Sequence, residues 1–259
     1  MKKTECKVLE AKKIAEGIYE MLLETDLGES AKPGQFLNLY MKDASHILPR
    51  PISICEYEQD KIRLVYRVAG EGTRYFATLQ SGDTLEVLGN IGNGFPLEKG
   101  EGKRALLIGG GIGVPPILGL AKSRFINGEG KENNRIVVGY RNDDLFLKED
   151  FERYGEVEIA TEDGSVGTKG NVLTAIRERG IEADIIYACG PMPMLRAIKE
   201  YAIEKGIPAY ISLEERMACG VGACLGCVCK TVKKDAHSNN FNARVCTEGP
   251  VFEAREVEI

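Results

Sequence analysis

The segment Cys219-Gly-Val-Gly-Ala-Cys224-Leu-Gly-Cys227, with Cys246 further along the chain, is the stretch around which we interpret the rest. Four residues separate the first two cysteines, two separate the next pair, and eighteen precede the last. This C-x4-C-x2-C pattern with a distant fourth Cys is the plant-type spacing for a [2Fe–2S] cluster. Three thiolates from one tight loop can hold one side of a small inorganic core, and a fourth closes the other. Glycines at three positions let the loop bend and bring its N–H groups near the sulfides: Gly220, Gly222 and Gly226.

Other uses of these cysteines remain as alternatives. Structural zinc usually shows two C-x2-C pairs, whereas only one pair has that spacing here. Disulfides are not expected in a chain without an export signal. An inert Cys-rich loop is the third alternative. Cys229 is a nearby fifth thiol, which we interpret as a bystander because the pattern is complete without it.

The composition is that of a soluble globular protein. The chain has 259 residues, of which 43% are hydrophobic and 28% charged, and a net charge of −5. This length suits two domains and a small appendage. No basic block stands out, which argues against nucleic acid as a partner.

The cellular compartment is predicted from two features that we do not find in the sequence, a signal peptide and a membrane-spanning stretch. The N-terminal residues have no apolar core of the kind found in a signal peptide. The most apolar stretch, 105–121, holds five Gly and two Pro, so we do not expect it to span a membrane. Eight Cys without an export signal indicate a reducing cytoplasm.

The first part of the chain, residues 1–98, predicts an antiparallel β-barrel. Candidate strands are 14–23, 35–40, 62–68 and 84–88, with turn signals at Pro33-Gly34 and Gly82-Asp83. The segment 62–68 alternates apolar and polar side chains, as a half-buried strand does. Short strands with regular turns are typical of a small barrel.

Two unusual stretches within this barrel suit a flavin dinucleotide. Arg50-Pro51-Ile52-Ser53 combines a cation, a rigid turn and a hydroxyl, and Tyr66-Arg67-Val68 leads into Gly70-Glu71-Gly72-Thr73. We expect Arg50 to face the pyrophosphate, Ser53 the isoalloxazine, and the amides of Gly72 and Thr73 the phosphates at the start of a helix over 73–79. A solvated loop is the alternative for either stretch taken alone.

The second domain, predicted over 99–210 after the polar stretch 96–103, alternates strand and helix. Strands are expected at 105–108, 135–140, 157–161 and 184–189, and helices at 117–122, 145–154, 171–179 and up to 204. Repeated β–α units imply a parallel sheet with its site at the carboxyl ends of the strands.

A dinucleotide site is predicted at two of those strand ends. Gly109, Gly111 and Gly113 form a Gly-rich turn between strand and helix, although Pro116 replaces the expected third-position Gly. Cys189-Gly190-Pro191 ends another strand. An ordinary strand–helix turn is the alternative. The acidic segment Glu162-Asp163-Gly164-Ser165 favours NAD over NADP, because carboxylates repel a 2′-phosphate; Arg141 argues the other way.

The last segment, 211–259, is predicted as a cluster domain too short for a substantial core of its own, so that the metal folds it. The two histidines, His46 and His237, have no base or nucleophile partner in the sequence. We interpret both as surface residues and propose no hydrolytic chemistry and no catalytic side chain.

These motifs together resemble the ferredoxin–NADP reductase superfamily. With MACGVGACLGCVC and the ending RVCTEGPVF, the whole chain is similar to the electron-transfer subunits of class 1B dihydroorotate dehydrogenase. The resemblance implies a β + α/β fold with a small C-terminal [2Fe–2S] domain. The implied cofactors are FAD, a [2Fe–2S] cluster and NAD, with cluster ligands Cys219, Cys224, Cys227 and Cys246. The implied contacts to FAD are Arg50, Pro51, Ile52, Ser53, Tyr66, Arg67, Val68, Gly72 and Thr73.

The resemblance also implies a partner and a reaction. The partner is a catalytic subunit that carries FMN and oxidises dihydroorotate in pyrimidine biosynthesis, as a heterotetramer of two copies of each subunit. A flavin converts between the two-electron nicotinamide and the one-electron cluster. One departure is the ending EVEI, where plant-type members of the superfamily end in an aromatic residue that covers the flavin.

Three other functions compete with this interpretation. The nearest is the small subunit of a bifurcating NADH-dependent ferredoxin:NADP oxidoreductase or of a sulfide dehydrogenase. In those relatives one cluster ligand can be Asp, so four Cys here favour the dihydroorotate system. A redox sensor with a vestigial dinucleotide site and a purely structural zinc protein are the remaining alternatives.

Overall fold

The structure is a computed structural model that describes residues 2–42, 46–235 and 239–259. His237, which we predicted on the surface, lies outside these residues. Within them, the chain forms a closed antiparallel barrel, a mostly parallel sheet flanked by helices, and a two-stranded ribbon near the C-terminus. This confirms the predicted fold class.

The barrel occupies the N-terminal part of the chain. Its strands are β1 (Lys2–Ala15), β2 (Ile18–Glu24), β3 (Phe36–Tyr40), β4 (Arg50–Glu58), β5 (Lys61–Arg67) and β6 (Thr84–Ile91). They follow the order β1-β2-β5-β4-β3-β6, and β1 closes on β6. Helix α1 (Glu71–Phe76) connects β5 to β6. Alternate side chains such as Leu37, Leu39 and Leu64 fill the interior, so the period-2 pattern of the sequence builds the barrel core.

One strand expectation was wrong. The segment 14–23 is two strands, because Glu16 and Gly17 form a tight turn that joins β1 to β2. Gly17 has φ +69°, a left-handed conformation that glycine adopts without a Cβ penalty. The apolar residues on both sides of this short turn gave one continuous hydrophobic run, which concealed it.

The second sheet follows the alternation of strand and helix. Its strands are β7 (Ala105–Gly110), β8 (Asn134–Tyr140), β9 (Glu156–Thr161), β10 (Thr168–Lys169), β11 (Ile185–Cys189), β12 (Ala209–Ser212) and β15 (Val251–Glu253). The helices are α2 (Val114–Ile126), α3 (Lys148–Phe151), α4 (Val172–Glu178) and α5 (Met192–Lys205). The order is β10-β9-β8-β7-β11-β12-β15, in which all pairs are parallel except β12 with β15. Helix α3 is shorter than the predicted 145–154.

The C-terminal segment is built into this sheet and onto the barrel. Strand β15 pairs antiparallel with β12, while β13 (Val228–Lys230) and β14 (Asn242–Arg244) pair with each other. Short 3-10 helices occur at Asp26–Ser30, Leu97–Gly100, Gly111–Gly113, Lys131–Asn133 and Ala254–Glu256. Cys227, Cys246 and Val245 share one apolar core with Ile108 of β7 and Phe36 of β3. The segment therefore takes its core from both neighbours; the domain boundaries at 98/99 and 210/211 stay predictions.

Candidate functional site: three adjoining cofactor segments

The cysteine loop gathers the four predicted ligands into two close pairs. The Cys224 thiol is a hydrogen-bonding neighbour of Cys219, and the Cys227 thiol is one of Cys246. Among the described residues no three His, Cys, Asp or Glu side chains converge as they would on a single metal ion. Two pairs of sulfurs suit a core of two irons better than one zinc, because each iron needs two thiolates.

Backbone amides of the loop point at these sulfurs. The Cys219 Sγ accepts from the amides of Val221 and Cys224, both at 3.4 Å, and the Cys246 Sγ accepts from Gly222 at 3.2 Å. Gly220 and Gly222 have φ +69° and +78°, which turn the loop inward. Such N–H···S contacts stabilise a thiolate and tune the potential of a cluster.

The amides act on the acidity of the thiols. At Cys219, burial opposes ionisation, but the amides of Val221 and Cys224 outweigh it and lower the pKa to about 6. At Cys246, burial and the neighbouring Cys227 raise the pKa to about 12. The bystander Cys229 lies buried in β13, and burial raises its pKa to about 11. The lowered pKa of Cys219 and the amides that point at the sulfurs therefore fit a thiolate-ligated cluster.

The two flavin motifs lie side by side at one end of the barrel. An ideal Cβ built on Gly72 would come within 2.6 Å of Arg50 Nε, so the Arg50 side chain lies directly across the start of α1 and a larger residue at position 72 would displace it. The Thr73 hydroxyl accepts from the amides of Ala69 at 2.9 Å and Gly70 at 3.1 Å, which fixes that turn. Arg50, Pro51 and Ser53 are half-buried, while Ile52 and Tyr66 are buried.

The buried side chain of Tyr66 fits a site for an aromatic ligand. Its hydroxyl is buried and has no hydrogen-bond partner among the described residues. The ring stacks with Tyr19 at 6.3 Å and meets Phe76 edge-on at the same centroid distance. Burial, with the nearby Tyr19, raises the pKa of Tyr66 well above its usual value. A buried donor without an acceptor beside Arg67 and Val68 is compatible with a bound dinucleotide.

The nucleotide turn and the Cys189 segment meet at the carboxyl ends of β7 and β11. Cys189 is in parallel register with Gly109, and a Cβ on Gly113 would come within 2.3 Å of the Cys189 carbonyl oxygen. A Cβ on Gly110 would lie 3.3 Å from Pro191 Cδ and 2.5 Å from Met194 Sδ. The predicted residues Gly109, Gly111, Gly113, Cys189, Gly190 and Pro191 thus lie at one edge of the sheet.

This nucleotide edge adjoins the flavin end of the barrel. A Cβ on Gly111 would be 3.6 Å from Arg67 Nη2, which joins the second flavin motif to the Gly-rich turn. Behind them, Gly119 of α2 comes so close to β4 that an added Cβ would lie 2.3 Å from the Cys55 carbonyl oxygen. The barrel and the parallel sheet therefore bring the flavin and nicotinamide segments together.

The remaining predicted residues contribute less to this site. Glu162, Asp163 and Ser165 lie in an exposed turn after β9, where the Ser165 amide and hydroxyl hold the Asp163 carboxylate and lower its pKa. His46 Nε2 lies 2.7 Å from Glu71 Oε2. In the described part of the chain, no helix is both long and apolar enough to cross a bilayer.

One residue of the site was missed by the sequence analysis. Asn38 of β3 is fully buried, and a Cβ on Gly220 would come within 2.1 Å of its Nδ2. It connects the barrel strand beside Arg50-Pro51-Ile52-Ser53 to the cysteine loop. A polar residue within an otherwise apolar predicted strand, 35–40, is the signal that could have found it.

Two family models match the chain. The iron–sulfur cluster binding domain of dihydroorotate dehydrogenase B matches residues 214–258, and an oxidoreductase NAD-binding domain matches residues 107–200. Both ranges coincide with the segments described above, so the presence of an iron–sulfur and an NAD-binding site is shown independently of the loop geometry.

Curated relatives match nearly the whole chain. The dihydroorotate dehydrogenase B (NAD(+)) electron transfer subunit of Caldanaerobacter subterraneus subsp. tengcongensis is 43% identical over 255 residues, which are 98% of each chain. The subunit of the same name from a Geobacillus species is 43% identical over 99% of each chain. A solved structure of an NADH-dependent reduced ferredoxin–NADP oxidoreductase superposes with TM-score 0.84 at 26% identity, over 98% of this chain and 89% of that one. The chain belongs to the family of dihydroorotate dehydrogenase B electron transfer subunits.

Proposed function

We propose that this chain transfers electrons between NAD(H) and a catalytic subunit that carries FMN, as part of the oxidation of dihydroorotate to orotate. The observation that carries the proposal is the contiguity of the three segments. Gly111 of the nucleotide turn adjoins Arg67 of the second flavin motif, and Asn38, which is opposite Pro51 of the first flavin motif, adjoins Gly220 of the cysteine loop. Membership in the family supplies the reaction.

Each segment would hold one group. The cluster would be held by Cys219, Cys224, Cys227 and Cys246, with amides of the loop donating to the sulfurs. FAD would be held by Arg50, Pro51, Ile52, Ser53, Tyr66, Arg67, Val68, Gly72 and Thr73. NAD would be held by Gly109, Gly111, Gly113, Cys189, Gly190 and Pro191. A flavin exchanges a hydride with nicotinamide and single electrons with an iron–sulfur cluster, which is the chemistry that this arrangement requires.

The side chains of the chain bind and orient rather than react. Arg50, crossing Gly72, supplies positive charge for a pyrophosphate. Cys189 is half-buried at the end of β11, where it is in register with Ser212 of β12, and we assign it a positioning role. The glycines of the turn allow a dinucleotide to approach the backbone closely.

The exposed surface of the cysteine loop is suited to contact with a protein partner. Leu225 and Val221 are 64% and 43% exposed and flank the ligands Cys219 and Cys224. Exposed apolar side chains at the point where electrons leave the chain suit a docking catalytic subunit. We propose a complex of two copies of each subunit in the cytoplasm, the reducing setting that free cysteine ligands require.

The test measures dihydroorotate oxidation coupled to NAD reduction, in the complex of this chain with its co-purified partner. We expect dihydroorotate oxidation to reduce NAD only when this chain is present, and adding the purified chain back should restore the coupling. A complex that oxidises NADH but ignores dihydroorotate would contradict the proposal. It would move the chain to a bifurcating ferredoxin-linked enzyme, the class of the solved relative that superposes over most of its length.

A further inference from the structure

The nucleotide edge of the parallel sheet extends to a third strand, β12. Gly109 of β7, Cys189 of β11 and Ser212 of β12 are in register, so they form one row across three neighbouring strand ends. The first two strand ends carry the nucleotide turn and the Cys189-Gly190-Pro191 segment. The third leads into the segment 213–218, which runs from this edge to the cysteine loop. The residues just after β12 are therefore neighbours of the nicotinamide site.

The side chains of this row lie on the face of the sheet that is turned to the barrel. Two residues before the row, Tyr187 and Tyr210 are in register and their rings stack at 5.7 Å. Phe95, which follows barrel strand β6, meets the Tyr187 ring edge-on at 5.8 Å. Side chains in a strand alternate between faces, so Cys189 and Ser212 share the face of the two tyrosines.

Glu214 continues this face beyond the end of β12. Ile211 and Leu213 are buried in the core on the opposite face, and the Leu213 amide donates to the Pro250 carbonyl oxygen at 2.9 Å, which fixes the chain past the strand. Alternation then turns Glu214 to the side of Ser212. The Glu214 side chain is exposed, and no ion pair holds its carboxylate among the residues that the structure describes.

The electrostatic effects of Glu214 and its neighbour agree with this geometry. Desolvation raises the pKa of the Cys189 thiol, a hydrogen bond from Ser212 opposes this, and the Glu214 carboxylate raises the pKa further. Glu215 acts on a different thiol: it adds to the effect of burial that raises the pKa of Cys229, which lies in the core of the opposite face. The two consecutive carboxylates thus face different segments, and Glu214 faces the nicotinamide side.

We propose that Glu214 is a specificity-determining residue of the nucleotide site, whose carboxylate faces the nicotinamide ring beside Cys189 and favours the oxidised nucleotide over the reduced one. The ring of NAD⁺ carries a positive charge, which is lost when the ring accepts a hydride and becomes NADH. A nearby carboxylate attracts the charged ring and has no such interaction with the neutral one. The site would then hold the substrate of dihydroorotate oxidation more tightly than the product. The inference rests on the proposed function.

The choice of the ring rather than the phosphates follows from charge. A diphosphate is held where glycine amides open a helix N-terminus, which here is the turn of Gly111 and Gly113 before the 13-residue helix α2. That turn follows β7, whereas Glu214 follows β12, and β11 lies between these two strands. A carboxylate repels phosphates, so its place at the far end of the row suits the cationic end of the nucleotide.

The test compares three ligands by isothermal titration calorimetry on the full chain, with FAD and the cluster loaded and oxidised. The ligands are NAD⁺, 1,4,5,6-tetrahydro-NADH, whose ring is neutral and cannot transfer a hydride, and ADP-ribose, which lacks the nicotinamide. Glu214→Gln keeps the size of the side chain and removes its charge. We expect the Kd for NAD⁺ to rise about fivefold and the other two to stay within about twofold of wild type. No turnover is involved, so the readout is independent of dihydroorotate oxidation.

The matched control is Glu215→Gln, which removes the same charge one residue further along the chain. All three Kd values of this variant should stay within about twofold of wild type. A ratio of NAD⁺ to tetrahydro-NADH affinity in Glu214→Gln equal to that of wild type would overturn the proposal, as would an equal loss for all three ligands. Wild-type protein that binds none of the three would contradict the nucleotide site itself, and the inference with it.

Discussion

Gly113 lies directly against the carbonyl group of Cys189: a Cβ on the glycine would be 2.3 Å from the oxygen and 2.4 Å from the carbon. Both are backbone atoms at the end of β11, so the contact cannot be relieved by a side-chain rotation. The contact sets the spacing between the nucleotide turn and the Cys189-Gly190-Pro191 segment. It explains why glycine stands at this position even though its φ of −81° is accessible to any residue.

Gly113→Ala should separate these two segments. We expect the free energy of unfolding to fall by about 3 kcal/mol, as for overpacking of a close-packed interior, and the KM for NADH to rise at least about tenfold. Chemical denaturation and steady-state reduction of an artificial acceptor measure the two effects. Gly102→Ala is the control for NADH binding: a Cβ there meets nothing within 4 Å, so its φ of +66° gives backbone strain without a steric contact, and the KM for NADH should stay unchanged. Unchanged NADH binding in a folded Gly113→Ala protein would contradict the assignment of the nucleotide site.

Arg50→Ala should weaken the retention of FAD. Hydrogen bonds between a guanidinium and a phosphate contribute about 1.5–3 kcal/mol, which corresponds to roughly a 10- to 100-fold higher Kd for FAD. Flavin fluorescence on dilution and flavin content after gel filtration measure the change. Arg74→Ala removes the same charge from the exposed side of α1 and should have little effect. Full flavin content in Arg50→Ala would rule out the pyrophosphate role.

Cys189 should be chemically inert in the native protein. The residue is half-buried; desolvation of the thiol raises its pKa to about 12, and a hydrogen bond from Ser212 opposes this only in part. The unfolded thiol has a pKa of about 8.5, so the contribution of Cys189 to stability is complete below that pH and falls as pH rises toward the native value. At pH 8 we expect no alkylation by iodoacetamide until the protein is denatured, as measured by mass spectrometry. Cys189→Ala should retain NADH-dependent flavin reduction; loss of that reaction in a folded variant would assign chemistry to the thiol.

Arg63→Met should loosen the joint between the barrel and the parallel sheet. Arg63 of β5 contacts Glu20 of β2, Glu56 of β4 at 2.5 Å and Asp150 of α3 at 2.9 Å. Its removal leaves three partly buried carboxylates without their shared cation, so we expect a loss of about 2–4 kcal/mol in the free energy of unfolding. Arg153→Met removes a 69% exposed partner of Asp150 and should cost less than about 1 kcal/mol. Equal losses in urea denaturation would contradict a special role for Arg63.

Local patterns predicted most of the elements. The alternation in 62–68 and the apolar strand before Gly109 gave β5 and β7 because period and turn residues are local properties. The pairing of Val251–Glu253 with β12 depends on which distant segment offers a free sheet edge, which no local pattern reports. The same holds for Asn38: an amide in a strand is visible in the sequence, but its approach to Gly220 exists only in the folded chain. The cysteine ligands were predictable because their spacing itself encodes the geometry of the site.

Cys224→Ser and Cys229→Ala distinguish a ligand from a bystander at the cysteine loop. Cys224 is exposed and paired with Cys219, whereas Cys229 is buried in β13. Cys229→Ala should keep the iron content and EPR signal and lose only about 1 kcal/mol of stability through a small cavity. Loss of the cluster in Cys229→Ala would show that the ligand set was assigned wrongly.

Anaerobic reduction of the loaded chain by NADH, followed by flavin absorbance and cluster EPR, tests the serial path most directly. In the wild type we expect the flavin band to bleach first and the cluster signal to appear afterwards. In Cys224→Ser we expect the flavin to bleach at the wild-type rate and no electrons to reach an acceptor beyond it. A wild-type cluster that NADH reduces without flavin bleaching, or a folded Cys224→Ser protein whose flavin NADH cannot reduce, would contradict the path.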